Sequence, residues 1–474
     1  MKNRLQYLYI FMAWLSVRAY VYFYNWQYFS ADNADDSTFH MWYLPPDYIA
    51  NHFIESLIYL RGEPPLPQII LGILIKLFGW PFTIPVDSML LSIAALANAF
   101  LMRSILMRYA FGAKLATAIA ILWCIYPANL GVEVSAFPIA FYEALPGFIF
   151  TLGLWLYLKC FDKNAASCKV SAWVWLFGIS CAMLSMSRST LSWIFILPVM
   201  ACFFIPGDRK KIIAGFFAII FQLLWSLKNY AVYGQFNLET ASDVGQNIFS
   251  TILNTGNYDD FYSYSVKKHP DDPFVLIGLP CLAAYDLPCI EKHFPGTKNH
   301  DSELESRLSI HGKLYGESYF LHDLSKKLKP LYADYLFHNP AAALRMIAKS
   351  YRLFWGNIYW QVSYIKGLDA DPIILQVNAL MEKYKLANIT AIHSIGILAA
   401  LLIPVAGVRQ KSLSGLQAGF LFAFLGFSYV AVISSLGDHG ENARYRVDVE
   451  SLAWLLPFMA YRCLRHLKEK TNNV

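Results

Sequence analysis

Long apolar stretches recur along most of the chain and constrain its fold more than any other feature. About eleven of them approach the roughly 20 residues that a helix needs to cross a bilayer core about 30 Å thick. Hydrophobic residues make up 57% of the sequence and charged residues 15%, which is far from the balance of a soluble globular protein. The sequence therefore predicts an all-α polytopic membrane protein. The stretches lie near 5–27, 66–80, 86–107, 114–131, 135–160, 172–187, 189–205, 211–233, 388–406, 413–436 and 449–465.

Basic residues collect in short segments between several of these stretches. The positive-inside rule assigns such segments to the cytoplasm, so the loop 28–65 is expected on the opposite side. The net charge of +6 is explained by topology and anionic headgroups and indicates no nucleic-acid partner. The expected domains are an N-terminal transmembrane domain (1–233), an extracytoplasmic cap (234–387) and C-terminal transmembrane helices (388–474).

The cap is expected to be mostly helical. Residues 302–338 keep leucines at helical spacing, and Asn339-Pro340 predicts the start of a second helix. On this second helix, three cations share one face. They form either a stripe facing solvent and headgroups or a clamp for a phosphate, and they are Arg345, Lys349 and Arg352.

Residues 47–61 predict an amphipathic helix in the membrane interface. Ile49, Phe53 and Leu57 share its apolar face, and Glu55 lies on the polar face. Such a helix would carry the preceding loop across the bilayer surface.

Cys281 and Cys289 bracket a short loop in the predicted cap. An oxidising compartment favours closing such a loop as a disulfide. We therefore expect this disulfide, whereas the remaining cysteines lie in or beside apolar helices and are expected to behave as small hydrophobes.

Three carboxylates follow the first apolar stretch, at Asp32, Asp35 and Asp36. Acidic residues close to spanning helices usually face a wet cavity or line a functional site, because a charge in hydrocarbon costs several kcal/mol. The alternative is a solvated loop that caps a helix. The position of these acids at a membrane boundary favours chemistry there.

Four short motifs, in this order along the chain, resemble those of one enzyme family. They are Asp35-Asp36-Ser-Thr-Phe39-His40, Gly62-Glu63-Pro64-Pro65-Leu66, Trp225-Ser-Leu-Lys228-Asn229 with the later Gly245-Gln-Asn247, and Glu441-Asn-Ala-Arg444-Tyr445-Arg446. Through them the chain resembles the lipid-linked-sugar glycosyltransferases of the GT-C fold. This family includes protein O-mannosyltransferases, the lipid A aminoarabinose transferase and enzymes of the pilin arabinosyltransferase type. The resemblance runs over most of the chain, and the cap diverges from it.

The resemblance implies a multi-pass enzyme of the bacterial inner membrane with its active site facing the periplasm. It implies transfer of a monosaccharide from a polyprenyl-monophosphate donor to a protein such as pilin, to lipid A or to an envelope glycan. Arabinose, aminoarabinose and mannose all remain open as the sugar. A single displacement would invert the anomeric centre.

Such a transfer needs a carboxylate that accepts the proton of the acceptor hydroxyl. We expect Asp35 in this role because it matches the family's acidic position, followed by Asp36 and Asp32. Glu63 is expected to orient a substrate, with a hydrogen bond in the turn as its alternative. Two further substrate-positioning candidates are His40 and Tyr445, and packing is the alternative for Tyr445.

The transfer also needs cations that stabilise the departing phosphate. Arg444 and Arg446 are the first candidates, because a guanidinium matches phosphate oxygens as a planar fork. Their alternative role is to anchor the last helix at the headgroups. Further candidates, which could equally extend their charges toward headgroups, are Lys228, Arg188, Lys349 and Arg352.

A divalent cation is a further alternative at the acidic loop. Asp35, Asp36 and His40 carry ordinary metal-binding groups. Relatives of the lipid A type act without a metal, whereas oligosaccharyltransferases of the wider fold use one. We expect no cofactor, and the resemblance alone leaves the metal open.

Two other classes of membrane protein compete with this interpretation. An O-antigen ligase or polymerase would use a pyrophosphate-linked glycan as its donor. A solute or lipid transporter would also place polar residues among apolar helices. Transporters usually contain two matched halves, and we see no such duplication in the sequence.

Overall fold

The computed structural model describes residues 2–25, 46–59, 65–127, 129–130, 139–160, 172–188, 191, 210–233, 236, 244–284, 286–294, 319–356, 372–410, 413–437 and 442–471. About 90% of the structure is helical, with no strand among these residues. Three helices are long and apolar enough to cross a membrane, namely Pro85–Arg108, Leu375–Gly407 and Gly415–Leu436. The all-α class is confirmed, whereas the count of eleven segments and the GT-C fold stay predictions.

The helices before the cap are α1 (Lys2–Asn25), α2 (Pro46–Asn51), α3 (Phe53–Tyr59), α4 (Pro65–Phe78), α5 (Trp80–Arg108), α6 (Ala113–Cys124), α7 (Ile139–Cys160), α8 (Ala172–Ser185) and α9 (Lys210–Tyr233). The cap contains α10 (Val244–Asn254), α11 (Tyr258–Lys268), α12 (Leu279–Ala283), α13 (Leu287–His293), α14 (Tyr319–His338) and α15 (Pro340–Phe354). The remaining helices are α16 (Pro372–Ala391), α17 (Ile397–Gln410), α18 (Gly415–Gly437), α19 (Asn442–Val447) and α20 (Glu450–Thr471).

Most predicted apolar stretches overlap one of these helices. The stretch 189–205 lies outside the described residues except for residue 191. The helix predicted over 47–61 is in fact two short helices, α2 and α3, separated at His52. Both pack on α4, where an added Cβ at Gly72 would lie 2.3 Å from the Phe53 ring. The break allows Phe53 and the buried Ile49 to approach the same glycine.

Three contacts fix the direction of α1 in the helix bundle. Arg103 donates a hydrogen bond to Gln6, and the Trp14 indole donates to the Ser92 carbonyl at 2.9 Å, so α1 runs antiparallel to α5. Arg18 donates to the carbonyl of Cys124, the last residue of α6. The carboxyl ends of α1 and α6 therefore lie at the same end of the bundle.

The cap joins the bundle at this same end. The carbonyl of Phe354, the last residue of α15, accepts a hydrogen bond from Arg446 of α19 at 3.0 Å. Tyr126, just beyond α6, donates to Glu450 at the start of α20. We call this the capped end, and the loop that follows α1 begins there.

Helix α9 turns polar residues inward and apolar residues outward. Gln222, Ser226 and Asn229 follow helical spacing and are buried, whereas Leu224 and Leu227 are exposed. In a soluble protein the polarity would be reversed. The arrangement suits a helix whose outer face contacts lipid.

Among the described residues, the buried apolar side chains form two clusters, one centred in the bundle and one in the cap, and Phe354 at the end of α15 belongs to the first. In the bundle, Tyr157 stacks on Phe422 with 5.1 Å between ring centroids, and Phe177 packs edge-on against the same ring. In the cap, Phe261 packs edge-on against Tyr335 at the centre of a second cluster of buried side chains. The cap can therefore present its own surface at the capped end.

Candidate functional site

A buried ionic cluster occupies the capped end of the bundle. It consists of Arg188, Tyr445, Arg446, Asp448 and Glu450. Arg188 Nη1 lies 3.1 Å from both carboxylate oxygens of Asp448, and these side chains are 3% and 0% exposed. The Arg188 guanidinium carbon also lies 3.9 Å from the centre of the Tyr445 ring. This cation is therefore held by a carboxylate and by an aromatic face.

The second cation of the ionic cluster contacts both the bundle and the cap. Arg446 Nε lies 2.8 Å from Glu450 Oε2, and Arg446 Nη1 donates to the Phe354 carbonyl of the cap. The guanidinium carbon is 5.5 Å from the Trp355 ring centre. Its Nη2 is buried and has no hydrogen-bond partner among the described residues.

Glu450 is fully engaged in hydrogen bonds. Its Oε1 accepts from the Tyr126 hydroxyl at 3.2 Å and from the Trp454 indole at 3.1 Å, while Oε2 faces Arg446. Two guanidinium groups thus face two carboxylates, and the ionic cluster carries no net charge. Removing one member of such a buried pair costs about 3–5 kcal/mol.

A turn between α19 and α20 brings the members of the ionic cluster together. The backbone amide of Asp448 donates to the Tyr445 carbonyl, and that of Val449 donates to the Arg446 carbonyl. The turn lies against α7 at Gly147, where an added Cβ would be 2.8 Å from the Val447 carbonyl oxygen. The absence of a side chain at Gly147 allows this close approach.

Two of the predicted motifs contact the same short segment that follows α8. The amide of Leu66, in the Pro-Pro-Leu motif, donates to the Met186 carbonyl at 2.9 Å. Met186 is two residues from Arg188, which packs on Tyr445 in the Arg-Tyr-Arg motif. Leu66 and Tyr445, almost 380 residues apart in the sequence, are thus linked through residues 186–188.

Several predicted phosphate-binding residues lie on described helices. Lys228 Nζ is 3.8 Å from the Trp225 ring centre near the end of α9. Lys349 and Arg352 are exposed on α15, and Lys349 donates to the Asn254 carbonyl at 3.4 Å. Arg444 belongs to α19, but its side chain lies outside the described part of the structure.

The predicted residues of the acidic loop lie outside the described residues, as do the first three residues of the motif that leads into α4, Gly62-Glu63-Pro64. This applies to Asp32, Asp35, Asp36, His40 and Glu63. Their roles stay predictions, as does the alternative of a metal at the loop. Among the residues that are described, no group of three potential metal ligands occurs.

The disulfide predicted between Cys281 and Cys289 is present, with 5.8 Å between the Cα atoms. The Asp286 side chain caps α13 by accepting from the Cys289 amide at 3.0 Å. The bond closes the short loop between α12 and α13 of the cap.

The acidic members of the ionic cluster were not singled out from the sequence. Asp448 and Glu450 follow Arg446 by two and four residues, and a pair four residues apart commonly interacts on a helix. This spacing could have identified Glu450. Nothing in the sequence indicates that Arg188 pairs with Asp448, 260 residues away.

The comparisons with known proteins add no assignment. No protein-family model matches the chain, and no curated protein matches it significantly.

Proposed function

We propose that this chain is an integral-membrane inverting glycosyltransferase that moves a monosaccharide from a polyprenyl-monophosphate donor to an acceptor hydroxyl outside the cytoplasm. The main support is the meeting of the Pro-Pro-Leu and Arg-Tyr-Arg motifs through Met186 and Arg188. The direction of α1 adds to it, because the loop carrying Asp35 begins at the same end of the bundle.

In the proposed reaction, Asp35 accepts the proton of the acceptor hydroxyl. The acceptor oxygen then attacks the anomeric carbon, and the bond from this carbon to the phosphate oxygen breaks. The electron pair leaves with the polyprenyl phosphate, and the configuration at the anomeric carbon inverts. General-base assistance of this kind is worth about 10²- to 10⁴-fold in rate.

The departing phosphate needs positive charge that is not already neutralised. Arg188 and Arg446 each face a carboxylate, so the ionic cluster as a whole supplies none. Arg446 Nη2 remains as a hydrogen-bond donor, and Arg444, Lys228, Lys349 and Arg352 carry the additional charge in the proposed site. We assign Arg188 and Asp448 the role of holding Tyr445 in position.

The proposal is tested by sugar transfer with purified full-length protein. Wild type, Asp35→Asn and the exposed cap variant Asp271→Asn are supplied with polyprenyl-monophosphate sugars and cell-envelope extract, with and without EDTA. We expect transfer by wild type and Asp271→Asn and a loss of at least about 100-fold in Asp35→Asn. EDTA resistance would argue against the metal alternative.

Other outcomes would redirect the proposal. Full activity of Asp35→Asn would move the base to Asp36 or Asp32. Transfer from pyrophosphate-linked donors alone would indicate a ligase or polymerase. No transfer from any lipid-linked sugar would contradict the enzyme and favour a transporter.

A further inference from the structure

An open groove of about 450 Å³ lies on the cap, between α11, α14 and α15. We call it the cap groove. Its lining includes two tyrosines and an imidazole together with a carboxylate, a guanidinium and a hydroxyl, from Tyr264, Tyr335, His338, Asp260, Arg345 and Ser263. This volume is in the range of small-molecule sites.

Contacts with Asp334 and between the rings fix the aromatic side chains of the cap groove, Tyr264, Tyr335 and His338. The Asp334 carboxylate accepts from the Tyr264 hydroxyl at 2.9 Å and pairs with Lys268. The Asp334 carbonyl bonds to His338 Nδ1 at 2.9 Å. The Tyr264 ring lies nearly parallel to the imidazole and packs edge-on against Tyr335. A ligand would therefore meet a preformed surface.

Three polar side chains that line the cap groove have no hydrogen-bond or ion-pair partner among the described residues. They are Asp260, Ser263 and Arg345. Burial raises the pKa of Tyr335, Asp260 raises it further and Arg345 lowers it. Both charges therefore lie near the same phenol, yet they do not pair with each other.

This combination selects among ligand classes. Asp260 and Arg345 together give the cap groove no net charge, so neither a simple anion nor a simple cation can pair favourably with both side chains. Hydroxyl groups both donate and accept hydrogen bonds, so a neutral polyol can donate to the carboxylate and accept from the guanidinium. The C–H face of a sugar ring can also pack on the accessible rings of Tyr264 and His338, whereas Tyr335 is buried.

We propose that the cap groove binds carbohydrate, and that this carbohydrate is the sugar-bearing part of the acceptor. The second statement rests on the proposed function. A glycan or glycolipid acceptor is thereby favoured over an unglycosylated protein. The cap groove would hold one part of that acceptor while its free hydroxyl reaches the capped end.

Binding is tested without any donor, using full-length protein in nanodiscs and saturation-transfer NMR titrations with mannotriose and maltotriose. The groove variants are Asp260→Asn and Arg345→Gln. The matched controls are Asp259→Asn, its neighbour on α11, and Lys326→Gln, an exposed cation on α14 outside the groove. All variants are also checked for an unchanged unfolding temperature.

We expect saturable binding by wild type and both controls. Each groove variant should bind about tenfold more weakly, the effect of losing one charged hydrogen bond. Absence of saturable binding, or equal binding by the groove variants, would overturn the proposal. Binding as expected without any sugar transfer would refute the transferase and the acceptor assignment that rests on it, but not carbohydrate binding. Transfer without saccharide binding would refute the cap groove alone.

Discussion

Arg446 Nε lies 2.8 Å from Glu450 Oε2, and both side chains are buried at the junction of bundle and cap. The pair spans the turn between α19 and α20. Arg446 also donates a hydrogen bond to the Phe354 carbonyl of the cap. Glu450 accepts a hydrogen bond from Tyr126 of the bundle. One ion pair therefore connects the cap to the helices beneath it.

Glu450→Gln is expected to destabilise the protein by about 3–5 kcal/mol, because it leaves the guanidinium of Arg446 buried without an opposite charge. The amide can still accept from Tyr126 or Trp454, so the loss is mainly electrostatic. Thermal unfolding in detergent, followed by intrinsic fluorescence, measures the change.

Helix α20, which carries Glu450, also supplies a matched control for this prediction. Arg465 and Glu469 form an ion pair at 2.8 Å with the same spacing of four residues, but both side chains are more than half exposed. Glu469→Gln should leave the unfolding temperature unchanged, because exposed pairs contribute little. Equal effects of the two substitutions would show that burial does not strengthen the Arg446 pair.

The disulfide in the cap is expected to contribute about 2–3 kcal/mol of stability, because it closes a short loop in the unfolded chain. The bonded cysteines are eight residues apart. The double variant Cys281→Ala and Cys289→Ala should lower the unfolding temperature, whereas the exposed cap variant Asp271→Asn should not. Mass spectrometry after alkylation, without reductant, should show both thiols protected, and their labelling would contradict the bond.

The Asp334 network should give the cap a characteristic dependence on pH. The hydrogen bond from Lys268 and then that from Tyr264 lower the pKa of Asp334 below its ordinary 3.8. Its stabilising contribution is therefore present above the unfolded pKa and is lost as the pH falls through the lower folded value. The pKa of Lys268 is raised, chiefly by its hydrogen bond to Asp334, so its contribution is lost only as the pH rises through that raised value.

The difference in unfolding temperature between wild type and Asp334→Asn reports this network. We expect it to shrink as the pH falls below about 4 and as it rises above about 10, where the charges of Asp334 and Lys268 are lost. Asp271→Asn, at an exposed acid of the same cap, serves as the reference. A difference that does not vary from pH 3 to pH 11 would exclude an electrostatic origin.

The sequence predicted local features of this fold better than its distant contacts. Asn339-Pro340 indicated the start of α15 because proline favours the first helical turn, and the spacing of Cys281 and Cys289 indicated their bond. Both signals lie within a few residues. Apolar stretches likewise indicated helices, because a helix that crosses a membrane needs a long run of apolar residues.

The pairing of Arg188 with Asp448 could not be predicted in this way. It depends on how α8 ends beside the turn before α20, and no local pattern encodes that packing. The sequence ranked Arg446 as a phosphate ligand by its guanidinium group and its place in the Arg-Tyr-Arg motif. The structure adds Glu450 as its partner, which limits how much of that charge remains for a ligand.

Gly147→Ala is expected to destabilise the protein by about 1–3 kcal/mol, a typical cost of overpacking. The added Cβ would lie 2.8 Å from the Val447 carbonyl oxygen, and a backbone atom cannot rotate away as a side chain can. The displaced turn would carry Arg446 and Asp448 with it, so any sugar transfer should fall as well. Gly396→Ala is the control, since Gly396 is also helical and an added Cβ there meets only ordinary contacts, the nearest at 3.6 Å. If both variants unfold at the wild-type temperature, the turn does not depend on close contact with α7.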